Sequence, residues 1–159
     1  MAGKVLSGFT TGFTGTVSRA IDNIIEAFPN RGAELAYGTA VVFDPTKSGV
    51  KAFSGDSAAV DFIGFAIRSG SKTPNTYGAS RGSYLPGETA EVLTRGSIVL
   101  DVLGGTPEAG GTVYLVKATG AVTAAADGEN TVELPCARFR GPADAASRAE
   151  IVLTTRNLI

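Results

Sequence analysis

Three apolar runs divided by glycine, within residues 89–117, constrain this chain more than any other feature. Thr89-Ala90-Glu91-Val92-Leu93-Thr94-Arg95 leads through Gly96 into Ser97-Ile98-Val99-Leu100-Asp101-Val102-Leu103. The turn-rich stretch from Gly104-Gly105 to Gly110-Gly111 follows, and then Thr112-Val113-Tyr114-Leu115-Val116-Lys117. Runs rich in β-branched and aliphatic residues between glycines read as consecutive strands joined by turns. In the middle run Ile98, Leu100 and Val102 share one face, and in the last Val113 and Leu115 oppose Thr112, Tyr114 and Val116. The alternation is imperfect, so both faces are expected to be partly buried. Gly96 has no other breaker beside it and predicts a sharp bend or bulge, as at a barrel corner.

The remaining segments add strands to this unit. Residues 39–43 and 50–53 flank Asp44-Pro45-Thr46-Lys47-Ser48-Gly49 and read as a hairpin. Residues 60–67 are apolar on both faces except for Asp61, which marks a central buried strand and leaves Asp61 in need of a partner if it is buried. Residues 120–123 form a short strand, and 131–134 and 137–140 form two more, broken by Pro135-Cys136. Residues 148–156 alternate cleanly, with Ala149, Ile151 and Leu153 on one side. The expected fold is all-β: a single barrel- or sandwich-like domain of about nine to ten short strands over residues 36–159. A chain of this length buries roughly 70% of its unfolded surface, so it needs no disulfide or metal staple.

Residues 1–35 read as an N-terminal arm. Gly8-Phe9-Thr10 echoes in Gly12-Phe13-Thr14, too few copies for a repeat. Val17, Ile21, Ile24, Ile25 and Phe28 fit a helical stripe ended by Pro29. Such a helix has only about three turns and no strong cap. The rival is an extended arm with strand character at residues 23–27, and the balance leans to it. Either way Phe9, Phe13, Ile21, Ile24, Ile25 and Phe28 need a cover, from their own domain or from a neighbouring subunit. A second irregular segment, the long loop at 68–88, carries Arg68, Lys72, Tyr77, Arg81 and Tyr84 and no acid before Glu88. Long loops of this kind are commonly binding surfaces.

Composition narrows the function. With 21 glycines and 18% charged residues the chain suits strands and turns, not a disordered or coiled-coil protein. A net charge of −1 argues against nucleic-acid binding through a general field. Nothing approaches the roughly 20 apolar residues of a membrane span, and the first residues lack the apolar run of a signal peptide. No histidine is present, which removes the commonest general base and metal ligand. Cys136 reads as a buried apolar residue. Ser69-Gly70-Ser71-Lys72 matches a Ser-x-x-Lys pair but lies in a loop with no helix after it, so it carries little catalytic weight. No enzyme activity, cofactor or small-molecule substrate is expected.

Several segments together resemble the capsid cement, or decoration, proteins of tailed bacteriophages. They are Gly15-Thr16-Val17-Ser18-Arg19, Tyr37-Gly38-Thr39-Ala40-Val41-Val42, Ile63-Gly64-Phe65-Ala66-Ile67-Arg68, Val92-Leu93-Thr94-Arg95-Gly96-Ser97-Ile98, Gly110-Gly111-Thr112-Val113-Tyr114 and Ala137-Arg138-Phe139-Arg140-Gly141-Pro142-Ala143-Asp144 with Glu150-Ile151. Each is weak alone, being mostly strand and turn grammar; their order over nearly the whole chain carries the likeness. The resemblance implies a β-rich protein on the outer surface of a phage head that clamps neighbouring subunits of the major capsid protein, commonly as a homotrimer. It implies no catalytic residues. Two other readings stand beside it: another virion part, such as a tail-tube or head–tail connector protein, and a carbohydrate-binding module that stacks sugars on Tyr77 and Tyr84.

Overall fold

In the computed structural model, residues 11–19, 22–69 and 82–155 are described. Their strands are β1 (Ile24–Pro29), β2 (Leu35–Ala36), β3 (Ala40–Phe43), β4 (Val50–Ala52), β5 (Phe62–Ala66), β6 (Ser83–Tyr84), β7 (Thr89–Asp101), β8 (Thr112–Val116), β9 (Val122–Thr123), β10 (Thr131–Phe139) and β11 (Arg148–Leu153). A single 3-10 turn, Ala59–Asp61, precedes β5. The fold is all-β. The two runs on either side of Gly96 are one strand, β7, and Gly96 adopts a φ of 121° within it. That left-handed geometry supplies the expected bend without ending the strand.

β7 is common to both halves of the main sheet. The strand order is β4-β3-β5-β7-β11-β10-β8-β9, with β1 also paired to β7. Every paired strand in it is antiparallel. Each half then curls back. Asn30, at the end of β1, bridges Val50 at the start of β4, and Val102, just past β7, bridges Val122 of β9. The small pair β2 and β6 stands apart, with Leu35 opposite Tyr84.

The half that contains β3 and β5 is buried on both faces. Neighbouring residues on a strand point to opposite faces, and here they enter different cores. Ala40, Val42, Phe62, Phe65 and Leu93 join the larger core, which also holds Ile98, Leu115, Phe139 and Ile151. Val41, Ile63, Ala66 and Val92 join a smaller one with Leu35, Tyr37 and Tyr84. This is why residues 62–67 show no polar face, whereas Val60 and Asp61, expected in the same buried strand, lie exposed in the turn before it. Burying a side chain such as Phe62 or Phe65 contributes about 1.5–3 kcal/mol, and their rings meet edge to face at 5.0 Å. β5 approaches β7 so closely that a Cβ on Gly64 would run into the Leu93 carbonyl oxygen.

Several expectations are corrected here. Asp61 is exposed, not buried, and its Oδ2 accepts the Ala58 N–H at 2.9 Å. Residues 131–139 form one strand, not two. Pro135 has no N–H to give, and the β10–β8 register slips between Leu134 and Arg138 to pass it. The segment 24–29 is extended and paired to β7, as the extended reading of residues 23–27 expected and not as the helix would have it. The loop 68–88 is not structureless throughout, because Ser83–Tyr84 pairs with β2.

The hairpin of β3 and β4 forms as expected. Asp44 closes its turn, Oδ1 accepting the Gly49 N–H at 2.7 Å and Oδ2 the Thr46 N–H at 3.1 Å. The Thr46 hydroxyl also donates to that carboxylate and, with the turn amides, holds it below the usual carboxylate range.

Candidate functional site

The residues before β1 lie against the second half of β7. The Gly15 N–H donates to the Val99 carbonyl at 2.8 Å, the Val99 N–H to Thr16 at 2.9 Å and the Ser18 N–H to Ser97 at 3.0 Å. Val17 pairs opposite Ile98. After residue 19 the chain turns at Asp22 and Asn23 and continues as β1 along the first half of β7. One segment thus follows β7 on both sides of its bend.

Side chains fasten this segment to the last strand. Arg19 Nε and Nη2 donate to Glu150 Oε1 and Oε2 at 2.7 and 3.2 Å, and Ser18 Oγ donates to Oε1 at 2.8 Å. The Arg19 hydrogen bonds, with help from Ser18, hold the Glu150 carboxyl below its ordinary range despite partial burial. Further toward the N-terminus, the Thr11 N–H donates to Asp144 Oδ2 at 2.9 Å.

These anchors present Phe13 at the surface, 53% exposed. The guanidinium groups of Arg68 and Arg148 stand 5.3 and 5.7 Å from its ring centroid, within cation–π range. Arg68 also lies 5.8 Å from the Tyr37 ring. Arg148 is steadied by Asp101 Oδ1 at 3.1 Å from its Nε and by the Gly12 carbonyl at 3.0 Å from its Nη1. The ring is therefore held between two cations on a backbone that is itself hydrogen-bonded into the sheet.

The expected contact residues divide as follows. Phe13 and Arg68 are brought together. Ile25 is 46% exposed on β1, while Ile24 is half-buried. Phe28 packs edge-on against Phe43 at 5.6 Å beside the smaller core. Phe9, Ile21, Lys72, Tyr77 and Arg81 lie outside the described residues. Tyr84 is a correction. It is 1% exposed in the smaller core, its hydroxyl donates to the Ile67 carbonyl at 2.8 Å, and burial pushes its phenol up to about 12. It offers no ring face to a partner or a sugar.

Sequence reading missed Arg148, the second cation at Phe13, and Leu103, which is 72% exposed where β7 gives way to the Gly104-Gly105 turn. The one signal for Leu103 was an apolar residue abutting a glycine pair. Cys136 is buried in the larger core, and burial pushes its thiol up, so it packs as an apolar side chain.

A family model described as structural cement protein (E217 gp24/Pam3 gp6) matches residues 3–154. No curated protein matches significantly. A solved chain from the capsid of Myoviridae phage XM1 matches over 96% of each chain, with a TM-score of 0.74 and 20% identity, a likeness of fold. The N base of the head fibre gp8.5 of bacteriophage phi29 matches 86% of this chain and 99% of its own, with a TM-score of 0.43 and 9% identity. The family match spans nearly the whole sequence, from ahead of Phe13 to beyond β11, so this chain belongs to the structural cement proteins of phages, with a cement role in the virion capsid.

Proposed function

We propose that this cement protein lies on the outer surface of the phage head and stabilises contacts between subunits of the major capsid protein, acting as a homotrimer and without catalysis. The observation that carries the reading is Phe13, exposed between the Arg68 and Arg148 guanidinium groups on a segment fixed to β7 and β11. Aromatic and arginine side chains on a rigid support are the chemistry of interface hot spots. Ile25, exposed on β1, extends the same N-terminal contact. Within residues 1–35 it is the stretch ahead of β1 that serves as the arm, and the loop at 68–88 contributes through Arg68.

A cement protein works by mass action. It binds the assembled lattice in preference to free subunits and so shifts the assembly equilibrium toward the shell. Many identical copies repeat that contribution over the head, so each contact can be modest.

The test is to add the purified protein to expanded capsids that lack it and to image the product by cryo-electron microscopy. Saturable density on the outer lattice, three copies to a site and with a raised capsid melting temperature, is the expected result. Absence of capsid binding, with rings or tubes formed by the protein alone, would move it to a tail or connector role.

A further inference from the structure

The segment before β1 and β1 itself pair with opposite edges of β7. β11 takes one edge over residues 96–101, so the bonds of Gly15, Thr16 and Ser18 to Val99 and Ser97 lie on the other. That other edge continues β5, because the Gly15 carbonyl accepts the Arg68 N–H at 2.7 Å just past that strand. β5 and β1 then flank the first half of β7 from opposite edges. Between Arg19 and Ile24 the chain therefore crosses over β7.

The crossing is poorly satisfied. Asp22 turns there at a φ of 72°, a left-handed geometry uncommon outside glycine. Four buried side-chain polar atoms lack a hydrogen-bond partner among the described residues, and two of them, Asn23 Oδ1 and Arg95 Nε, are here. Buried polar groups in native proteins are nearly always paired. The stretch ahead of the crossing is the reverse. Gly15, at a φ of 83°, has no room for a Cβ, which would stand 2.8 Å from that of Tyr37. Val17 packs on the larger core, and Thr11, Ser18 and Arg19 close on Asp144 and Glu150. The bed on β7 and β11 is thus fitted to residues 11–19, and the strain lies in the link from that segment to its own β1.

A short, strained link between two well-fitted elements favours exchange. The element leaves its own bed for the same bed on another copy, and the link alone changes shape. The fit fixes the occupant, since only a second copy brings the same Gly15, Val17 and Arg19. The Asn23 amide donates to the Arg19 carbonyl, and exchange gives that contact up. Fully extended, four residues reach about 14 Å, so the neighbouring bed has to come close to the start of β1. Ile25 is exposed there, where a contact between copies would cover it.

We propose that in the assembled oligomer the copies exchange residues 11–19, so that each Phe13 stands between Arg68 and Arg148 of a neighbouring copy. The closed arrangement is that of the lone chain. The inference rests on the homotrimer of the cement reading and makes the Phe13 site one that two copies complete.

The test uses full-length Arg19→Lys, which keeps the charge on an exposed side chain, mixed as isotope-labelled and unlabelled copies. The mixture is bound to capsids lacking the protein and treated with a carbodiimide, which joins an amine to a carboxylate without a spacer. The linked peptide between positions 19 and 150 is expected to carry both labels at the frequency of random mixing. Val17→Cys mixed with Ile98→Cys gives a second reading. These positions face each other without bonding to each other. Such pairs have Cα atoms about 4.5 Å apart, within disulfide reach. Oxidised on the capsid, the mixture is expected to yield a disulfide-linked pair of chains that neither variant yields alone. Adding Asp22→Gly to the Arg19→Lys copies allows the turn without strain and is expected to lower the mixed-label share severalfold.

Single-label peptides throughout, with no disulfide between chains on the capsid, would overturn the exchange and leave the cement reading standing. An unchanged mixed-label share with Asp22→Gly would overturn the strained turn as its cause. If wild type fails to bind capsids while mixed labels appear in a free oligomer, the cement reading falls and the exchange stands. If neither occurs, both fall.

Discussion

The Asn23 side chain occupies the space that a Cβ on Gly96 would need. The chain turns there from one half of β7 to the other, and the strand bends beneath it at a φ of 121°. Gly96→Ala would meet both a left-handed backbone and the Asn23 amide oxygen. The expected loss is about 1–3 kcal/mol, read as a lower midpoint in urea with an unchanged slope.

Gly64 tests a different constraint, the closeness of β5 to β7. Gly64→Ala drives a methyl group into the Leu93 backbone, which cannot swing aside as a side chain would. The two strands must part, and the expected destabilisation is about 3 kcal/mol. Gly128→Ala is the control, because nothing lies within 4 Å of the added Cβ. Its melting temperature should match wild type within error.

Acid should loosen the arm. The folded Glu150 carboxyl is lowered by Arg19, then by Ser18, so the clasp is complete above the ordinary glutamate value of about 4.3. It is lost as pH falls through the lower folded value. Hydrogen exchange at the Ser18 and Val99 amides, corrected for intrinsic rate, should speed up on that descent. Glu150→Gln should show the faster exchange at neutral pH, and unchanged protection in that variant would separate the clasp from arm order.

Truncation should divide the N-terminal region at β1. Deleting residues 1–28 removes all but the last residue of a strand paired with residues 89–95, together with the Phe28 contact to Phe43. It should lower the melting temperature sharply or prevent folding. Deleting residues 1–10 leaves every described pairing in place, and its melting temperature beside that of wild type measures what those residues add to stability. That shorter variant is therefore the cleaner one for measuring what the N-terminus adds to capsid binding.

The parts that were legible in the sequence are those in which one strand carries its own pattern. β11 alternates buried and half-buried residues along its whole length, and β5 is apolar on both faces because it lies between two cores. The β3–β4 hairpin was written into the Asp44 to Gly49 turn. β1 was harder because its register shifts between Ile24 and Ile25, which breaks the two-residue period and leaves a stripe that mimics a helix. Tyr84 misled for a related reason. Its strand is two residues long and its partner Leu35 is distant in sequence, so nothing local marks it as buried. The setting of Phe13 was not legible at all. Phe13, Arg68 and Arg148 come from three separate segments and meet only through the fold of the sheet.

The arm's fastening also sets an order of assembly during synthesis. Arg19 is 131 residues from Glu150, and Thr11 is 133 from Asp144. The part of the chain made among the first must wait for the last strand before its side chains find their places. Pairings of such long range slow folding, because the loops they close must be brought together before any contact rewards them. Until β11 leaves the ribosome, the 96–101 half of β7 lacks the strand that pairs with it there. That unpaired edge is adhesive until β11 arrives, and the closing of Arg19 onto Glu150 marks the end of the interval.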